Sequence, residues 1–535
     1  MTGFRVAAAA LALSFGSLAC DAPPRGEALI VIDTDMPVPK IVDTLQVDIY
    51  SPDGSTWWVS RNIYLPDPGA WPVSFSVYSD DTSVGSSALV RLRGYRSEYV
   101  EDYRGEGALS LPPLGSQWTA VTAGQCCTAD CTSLCPQYWN PPQAALPRLQ
   151  DTMGEDVTPA VEPQPLVTID QLVLVNLVPG MRGKVSVLLA GACAGTQAVL
   201  PDPSRASPQP SDIQTCIDTE RTLVPVAAST LDPDMTLPAP GSTIEGQFEA
   251  PFATDCPNTP RTPTSGLFDD EVCVHGGVMV FGSATGEASI ASPSVPRIAA
   301  VPSFLMDKYE YSVARFEKAY GMLAQVANYN NGPSNDPSQT AYPLNCTGYD
   351  QPDPSWATAD RDAEPLNCVQ WTGARKLCQL EGGDVPTEVQ WEYAESAAGR
   401  PSKSFLTFQQ PLSCAEVSYG RDVVNGANEC YMMNAAFFGA ARVDYGMDVA
   451  DVLDGGILGM TGNVAEYALD AGVSMAANCW LSAPIESPSC VQPASATFIM
   501  RATSWDLSSD EVSAAWRVPV TYDDVETSNG FRCVR

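Results

Sequence analysis

The residues with the widest chemical scope in this chain are its 17 cysteines and its single histidine, His275. Cysteine thiolates bind soft metal ions, act as nucleophiles or pair as disulfides, whereas histidine serves as a general base and as a metal ligand. With one histidine in 535 residues, histidine-based zinc and iron sites are excluded, and a Ser–His or Cys–His pair can be built only on His275. We interpret His275 as an ordinary strand residue.

The first twenty residues have the pattern of a bacterial export signal. Arg5 precedes an apolar run at residues 6–18 that is too short to span a bilayer. The run ends in SLAC at residues 17–20, which is similar to a lipobox, the motif whose cysteine becomes the acylated N-terminus. Leucine is usual where Ser17 stands, so cleavage by an ordinary signal peptidase is the alternative. We predict a signal peptide at residues 1–20, lipidation at Cys20, anchoring to a bacterial membrane at the cell envelope, and no later membrane helix.

Export would place the chain in an oxidising compartment, where cysteines form disulfides. Without Cys20 an even number of cysteines remains, so all of them can pair. Cys193 and Cys216 are predicted to close a loop. Four clustered cysteines have the spacing of a metal-binding knuckle, but no histidine is near them, so two disulfides in a loop are the favoured interpretation. These four are Cys126, Cys127, Cys131 and Cys135.

The chain is strongly acidic, with a formal net charge of -34. This charge argues against nucleic-acid binding, because phosphate recognition needs clustered lysines and arginines. We interpret the acidity as a well-hydrated extracellular surface, with a calcium-binding surface as the alternative.

Alternating apolar residues predict β structure in the first half. The alternation is visible at residues 45–49, 73–77 and 88–92, and Asp53-Gly54 indicates a hairpin between two strands. Short strands at this spacing predict a β-sandwich over residues 26–230, with a cysteine- and proline-rich insertion at about 105–163. A segment rich in proline and threonine at 231–266 is predicted to be a linker.

From residue 267 onward, glycine-marked turns alternate with short capped helices. Thr387, followed by Gln390 three residues later, predicts a capping box. Thr372 is predicted to start a second helix that ends at Gly382-Gly383. A chain of 535 residues is too long for one compact core, so the protein is predicted to be multidomain.

Six motifs in this C-terminal half, in order, resemble those of the formylglycine-generating (sulfatase-modifying) enzyme family. The most specific is VPTEVQWEYA at residues 385–394, and GMTGNVAEY at 459–467 is also close. The others are VHGG with FGS at 274–283, FLMDKYE at 304–310, CVQW at 368–371, and SW at 504–505 with GFRC at 530–533. The resemblance covers about half the chain and implies an irregular α+β fold related to C-type-lectin-like modules. It also implies a disulfide between Cys378 and Cys533.

Active members of that family bind copper(I) through two thiolates and convert a substrate cysteine to formylglycine with oxygen. The two cysteines lie just after the SW motif, where this chain has DLSSDEVS at residues 506–513 and no cysteine. Serine and aspartate do not replace thiolates for copper(I). We therefore predict that copper is not bound and that the domain is a pseudoenzyme without catalytic residues. The family's iron-dependent, histidine-rich branch is excluded by the single histidine.

The resemblance also implies a calcium site. The matching positions are the carbonyls of Gly462 and Val464 and the carboxylate of Glu466, with Gly459 where the family has Asp or Asn, and Asn428 at a second site. Calcium prefers six to eight oxygen ligands, so the missing carboxylate weakens this site. The alternative is that Glu466 caps the loop by accepting hydrogen bonds from backbone N–H groups. By the same resemblance, Glu388, Trp391 and Glu392 are scaffold residues.

The sequence therefore predicts a surface lipoprotein whose C-terminal domain binds a cell-envelope protein or glycan. One alternative is an active formylglycine-generating oxidoreductase that modifies an exported protein. Another is a β-sandwich that binds carbohydrate or protein through exposed Trp57 and Trp58.

Overall fold

The computed structural model describes most of the chain. Most of the N-terminus and several internal segments lie outside the described residues. The described residues are 4–7 (backbone only), 25–103, 148–201, 212–217, 222–239, 241–282, 295–323, 362–396, 414, 417–421, 430, 440–445, 456–492, 495–501, 504–507, 516–521 and 526–535. Predictions for Cys20, for the 126–135 cysteine cluster and for Asn428 fall outside these ranges. None of the helices in the described ranges is long and apolar enough to cross a membrane.

The chain divides into two compact units. One comprises Met1–Ala250 with Pro296–Ile298, and the other comprises Pro251–Val295 with Ala299–Arg535.

The first unit is built from two four-stranded sheets, as a β-rich N-terminal half predicts. One sheet has the order β1-β5-β2-β10, in which β10 runs parallel to β2, and the other has the antiparallel order β4-β3-β6-β9. The strands are β1 Phe4–Ala7, β2 Glu27–Thr34, β3 Thr44–Tyr50, β4 Trp57–Tyr64, β5 Val73–Ser79, β6 Ser86–Tyr95, β7 Val100–Asp102, β8 Val161–Pro163, β9 Ile169–Leu177, β10 Arg182–Leu189, β11 Gln214–Cys216 and β12 Leu223–Pro225.

The two sheets pack through the contacts of β9 with β2 and β10. Alternating apolar residues such as Leu45, Val47 and Ile49 are fully buried. The β3–β4 hairpin turns at Gly54, whose φ of 70° lies in the left-handed region that glycine adopts without strain. Short 3₁₀ helices cover Pro68–Ala70, Pro165–Val167 and Gly191–Cys193, and β7–β8 and β11–β12 form two-stranded sheets.

Strand β3 is buried on both faces, because its polar positions are covered as well. Asp48 on β3 pairs with Arg93 at 2.8 Å, and Asp170 on β9 pairs with Arg91 at 2.6 Å. Burial of charges is tolerated where each has a partner at this distance.

The residues predicted to be a linker make specific contacts inside the first unit. The Thr243 hydroxyl and the Ile244 N–H donate to the Asp33 carboxylate, at 2.6 and 3.1 Å. Glu245 accepts the N–H of Val38 at 2.7 Å. The segment at 243–249 is therefore fixed against β2 and the turn that follows it.

The second unit has little regular structure, as the α+β fold class predicts. Its largest sheet has the order β19-β18-β17-β20, and β13-β16 and β14-β15 form separate two-stranded sheets. The strands are β13 Glu271–Val274, β14 Gly277–Phe281, β15 Arg297–Val301, β16 Phe304–Asp307, β17 Ala465–Ala471, β18 Thr497–Arg501, β19 Arg517–Thr521 and β20 Asn529–Gly530. The helices are α1 Val313–Leu323, α2 Trp371–Leu380, α3 Glu388–Glu395 and α4 Asn478–Leu481.

One apolar core joins these elements. Trp371 stacks on Phe498 with ring centroids 3.5 Å apart, and Tyr311 stacks on Phe531 at 4.7 Å. The prediction that Thr372 starts α2 is wrong: the N-cap is Gln370, whose side chain makes no capping bond. Trp371 is the first helical residue, and its indole N–H donates to the Ala468 carbonyl at 2.8 Å, which is a tertiary contact.

Candidate functional site

Backbone hydrogen bonds bring together three segments of the second unit that are far apart in sequence. The N–H of Asn463 donates to the Ser418 carbonyl, and the N–H of Trp505 donates to the Asn463 carbonyl, both at 2.8 Å. The N–H of Arg421 in turn donates to the Trp505 carbonyl at 2.8 Å. The GNVAE and SW motifs therefore form one assembly with residues 417–421.

The turn in this assembly depends on backbone conformations that few residues adopt. Asn463 has a φ of 70° and Gly459 a φ of 71°, both in the left-handed region. A Cβ on Gly459 would lie 3.3 Å from the Glu310 carboxyl carbon. Glycine at 459 thus gives room to a buried carboxyl group.

Glu466 lies on β17, and both of its carboxylate oxygens are occupied by side-chain donors. Arg532 Nε lies 2.8 Å from each oxygen, and the Trp391 indole N–H donates to Oε2 at 2.7 Å. Burial by itself lowers the pKa of Arg532, but the Glu466 carboxylate raises it above its usual value. Glu466 therefore joins α3, β17 and the chain's end, and it accepts from side chains rather than from backbone N–H groups.

Glu310 is a second buried carboxyl group beside Glu466. Its oxygens accept from the Asn463 amide at 2.6 Å and from the Val464 N–H at 3.2 Å. Burial, followed by the charge of Glu466, raises the pKa of Glu310 well above its usual value. This role was not predicted, although Glu310 lies in the FLMDKYE motif.

Calcium does not fit the Glu466 carboxylate as the structure places it. A calcium ion needs free oxygen ligands, and here Arg532 and Trp391 donate to both oxygens. Within the described ranges no group of three acidic, histidine or cysteine side chains is placed to hold a metal ion. Calcium binding at Gly459, Gly462 and Val464 stays a prediction, which a calorimetric titration would test.

Two thiolates for copper(I) are also not provided by the described residues. Eight of the nine cysteines in residues 257–535 are in disulfides, and the ninth, Cys346, lies outside the described ranges. After the SW motif, the described positions are Asp506 and Leu507, and the rest of the 506–513 stretch lies outside the described part. The residues present do not fit a two-thiolate copper site.

The disulfide expected between Cys378 and Cys533 is formed, with an S–S distance of 2.03 Å, and so is the one between Cys193 and Cys216. Three further disulfides were not predicted from the sequence. These are Cys256–Cys273, Cys414–Cys430 and Cys479–Cys490, each separated by 17 residues or fewer. Their short separation along the chain is the sequence signal for these pairs.

Helix α3 carries the scaffold role predicted for its acidic residues. Its N-terminus has the predicted capping box between Thr387 and Gln390. Glu388 pairs with Arg517 at 2.8 Å and with Arg501 at 3.1 Å, and Glu392 pairs with Arg501 at 2.5 Å. Burial raises the pKa of Glu392, and Arg501 opposes this shift. These side chains hold β18 and β19 against the helix.

The interpretation of His275 as a strand residue is wrong, and so is the alternative in which Trp57 is exposed, whereas paired tryptophans more often lie partly in a core. His275 is not in a strand: it follows β13, is exposed, and its Nδ1 lies 3.1 Å from the Thr254 carbonyl oxygen. Trp57 is not exposed: it is 3% accessible and stacks on Tyr50 at 5.7 Å, while Trp58 is half-buried. A carbohydrate platform made of both tryptophans therefore loses one of its two rings.

Comparison with known proteins places the second unit among described families. A family model described as "Sulfatase-modifying factor enzyme 1-like domain" matches residues 257–535. Similar solved structures include PvdO from Pseudomonas aeruginosa, with 15% identity and a TM-score of 0.36, covering 52% of this chain and 99% of that one. Treponema denticola variable protein 1 has 13% identity and a TM-score of 0.29, with coverages of 50% and 94%. CarF has 16% identity and a TM-score of 0.31, and the match covers 50% of this chain and 97% of that one. The search of curated proteins found no match.

Proposed function

The chain belongs, through residues 257–535, to the sulfatase-modifying factor enzyme 1-like family, and from this premise we propose that it is an exported lipoprotein whose family domain binds a ligand or protein without catalysis. The binding partner is a protein or glycan of the cell envelope. In the sequence, the first unit separates this domain from the lipid anchor at Cys20, and we propose that it acts as a spacer.

The observation that carries the proposal is the state of the cysteines. A copper(I) site of the family's kind needs two free thiolates that converge on one metal ion. Residues 257–535 contain nine cysteines, and eight of them are held in disulfides. The ninth, Cys346, could supply one thiolate at most, which is too few for a pair.

The scaffold around the motifs supports retention of a binding surface. Arg501, Arg517 and Arg532 are fully buried, and each is paired with a buried glutamate. A buried ion pair stabilises a fold only when its geometry is good, and removing one partner leaves the other charge buried and unpaired. Such networks are therefore sensitive to substitution. Of these pairs, Arg532–Glu466 involves the assembly of 417–421, 459–467 and 504–507, and it fixes β17 at Glu466.

Export is supported by the disulfides, which persist in oxidising compartments. Five disulfides have both cysteines among the described residues. One cross-links the first unit and four cross-link the second. The lipid at Cys20 is tested by metabolic labelling with an alkyne fatty acid. We expect label on the wild type and none on Cys20→Ser, with that variant released from the membrane fraction. Equal labelling of both proteins would contradict the anchor.

Catalytic inactivity is tested with the full exported chain and its disulfides intact. A peptide with the Cys-X-Pro-X-Arg motif is incubated with it, copper(I), thiol and air, and is analysed by mass spectrometry. We expect no formylglycine and less than stoichiometric copper on the protein, beside full conversion by an active family member. Conversion by this chain would overturn the proposal and favour the oxidoreductase alternative.

Binding is tested by capture from envelope extracts and by glycan arrays. We expect the full chain to retain a partner, and Trp57→Phe, which keeps the buried ring of the first unit, to retain it equally. Loss of capture in a folded Trp58→Ala variant would instead assign binding to the first unit.

A further inference from the structure

Three segments meet at one end of the two large sheets in the first unit. They are the chain leading into β2, the β5–β6 loop at 80–85 and the β9–β10 turn at 178–181. The strand registers place them together, because the first residue of β2, Glu27, lies opposite the first residue of β10, Arg182, and the first residue of β6 lies opposite the last of β9. The Glu27 N–H also donates to the Met181 carbonyl at 3.0 Å. These segments form the tip of the first unit.

The tip exposes three large apolar side chains. Val84 is 62% exposed, Met181 is 53% exposed and Val178 is 44% exposed. The two loops that carry them are adjacent, since a Cβ on Gly85 would lie 3.8 Å from the Leu177 carbonyl oxygen. Single exposed apolar residues are common on protein surfaces and need no explanation, but three on neighbouring loops form a patch that gains free energy when it leaves water.

The acidic side chains of the tip are largely compensated. Glu27 pairs with Arg182 at 3.2 Å, and Asp80 pairs with Arg25 at 3.4 Å. Asp81, the other carboxylate of the loop, accepts backbone N–H groups of that loop. Two of these three carboxylates thus have an arginine partner, in a chain whose net charge is -34. The tip is therefore repelled less by anionic lipid headgroups than the acidity of the whole chain suggests.

The length of chain between the tip and Cys20 limits what the tip can face. Gly26 follows Cys20 by six residues, and an extended chain spans at most 3.6 Å per residue, so the two lie within about 22 Å of each other. A Cβ on Gly26 would lie 2.7 Å from the Leu177 carbonyl carbon, so Gly26 is packed against the end of β9. Strands β2 and β10 run away from the tip for eight residues each, about 26 Å. With acyl chains on Cys20, the tip is the part of this unit held nearest the bilayer.

We propose that the tip is a membrane-contact surface, in which Val84, Val178 and Met181 lie in the headgroup region of the bilayer that holds the lipid on Cys20. Apolar side chains at this boundary bind by the area they bury, and a lipid chain combined with a second contact holds a protein more firmly than the lipid alone. At headgroup depth the charged groups of the tip stay hydrated. The inference rests on the lipid anchor of the proposed function, and it adds which face of the first unit the membrane covers.

The test measures oxidation of Met181 to its sulfoxide in the full exported chain, reconstituted in phosphatidylcholine vesicles. The oxidant is chloramine-T, which is charged and stays in water, and mass spectrometry of peptides gives the rate at each methionine. We expect Met181 to be oxidised several-fold more slowly in the lipidated chain than in Cys20→Ser with the same vesicles. Protection should persist at high salt, because the contact is apolar rather than ionic.

Leu188→Met, made in both proteins, is the matched control. Leu188 is 41% exposed and lies on β10 opposite Asp33, six residues beyond Arg182 and so about 20 Å from the tip. The methionine introduced there should be oxidised equally fast with and without the lipid on Cys20. A second variant, Val84→Ser/Val178→Ser, changes exposed side chains only. It should keep the lipid but lose much of the protection of Met181, because its apolar contact with the bilayer is reduced.

The inference is overturned if Met181 is not protected, or if the methionine at 188 is protected equally, since the vesicle would then shield the whole unit. It is also overturned if Val84→Ser/Val178→Ser keeps full protection, because nearness to the anchor would then suffice. Protection in Cys20→Ser that grows with protein concentration would assign the tip to a contact between two copies instead. These results leave the proposed function intact as long as metabolic labelling finds the lipid on Cys20, whereas absence of that label would overturn both.

Discussion

At the residue scale, Glu388 is the acidic group on which two strands depend. Its carboxylate binds Arg517 of β19 through two hydrogen bonds of 2.8 Å and Arg501 of β18 at 3.1 Å. All three side chains are at most 1% exposed. Its role is therefore structural, although its acidic side chain, considered alone in the sequence, resembles a catalytic group.

Glu388→Gln is expected to destabilise the second unit by about 3–5 kcal/mol, because it leaves buried guanidinium charge without its partner. Urea unfolding followed by circular dichroism measures the change. Arg442→Gln, which breaks the exposed pair with Asp444, is the control and should change stability by less than about 1 kcal/mol. Similar losses for the two variants would show that burial of the Glu388 pairs carries no special weight.

Asp470 predicts a dependence of stability on pH. It accepts the N–H groups of Glu388 at 2.7 Å and Cys490 at 2.5 Å. Burial, followed by the charge of Glu388, raises its pKa from 3.8 to about 7. The folded state therefore binds the proton more tightly than the unfolded state, and the stability contributed by this proton falls as pH rises from about 4 to about 7.

The measurement compares the wild type with Asp470→Asn, which does not titrate. We expect the stability advantage of the wild type to shrink between pH 5 and pH 7 by at most about 1.4 kcal/mol per pH unit, and to be constant above pH 8. Urea unfolding at pH 5, 6, 7 and 8 gives this difference. An advantage that stays constant or grows with pH would mean that Asp470 is ionised throughout this range.

At the scale of elements, α3 and α2 start by different means, and this gives a matched comparison. Thr387 accepts the N–H of Gln390 at 3.2 Å, whereas Gln370 makes no capping bond with its side chain. Thr387→Ala should cost about 1 kcal/mol, since one N–H group of the first turn loses its acceptor. Gln370→Ala should cost less than about 0.5 kcal/mol in the same urea experiment. Equal effects would mean that tertiary contacts, not the cap, begin α3.

The same two helices show how far the sequence reaches. The capping box of α3 was predictable because both partners lie within four residues of each other. The start of α2 was not, because its N-cap makes no local side-chain bond, and the first helical residue, Trp371, contacts Ala468, which is 97 residues away. Likewise, alternation at 45–49 predicted a strand, but its burial on both faces depends on the distant partners Arg91 and Arg93.

In the candidate site, too, residues in recognisable motifs were predictable and contacts between distant residues were not. The motif glycines, Glu466 and the Cys378–Cys533 pair were identified from the resemblance, since each lies in a recognisable motif. The backbone hydrogen bonds that join residues 417–421 to these motifs were not identified, because residues 417–421 lie in no motif. The contacts of residues 243–249 with β2 were missed for a similar reason: Thr243 and Asp33 are 210 positions apart.

At the scale of the whole chain, the Cys378–Cys533 disulfide joins α2 to the C-terminus across 155 residues. In the chain-entropy model, a cross-link limits the unfolded chain, and its effect grows with the logarithm of the closed loop. The Cys479–Cys490 pair in the same unit spans 11 residues and is also buried, so it is the matched control.

Replacing both cysteines by alanine should therefore destabilise the unit more at the long loop than at the short one. The model gives a loss of about 5 kcal/mol for Cys378→Ala/Cys533→Ala and about 3 kcal/mol for Cys479→Ala/Cys490→Ala. Both variants lose a buried sulfur pair, so the difference between them isolates the loop length. Urea unfolding without reductant measures it. Equal losses would mean that packing around the sulfurs, rather than restriction of the unfolded chain, is the source of the stabilisation.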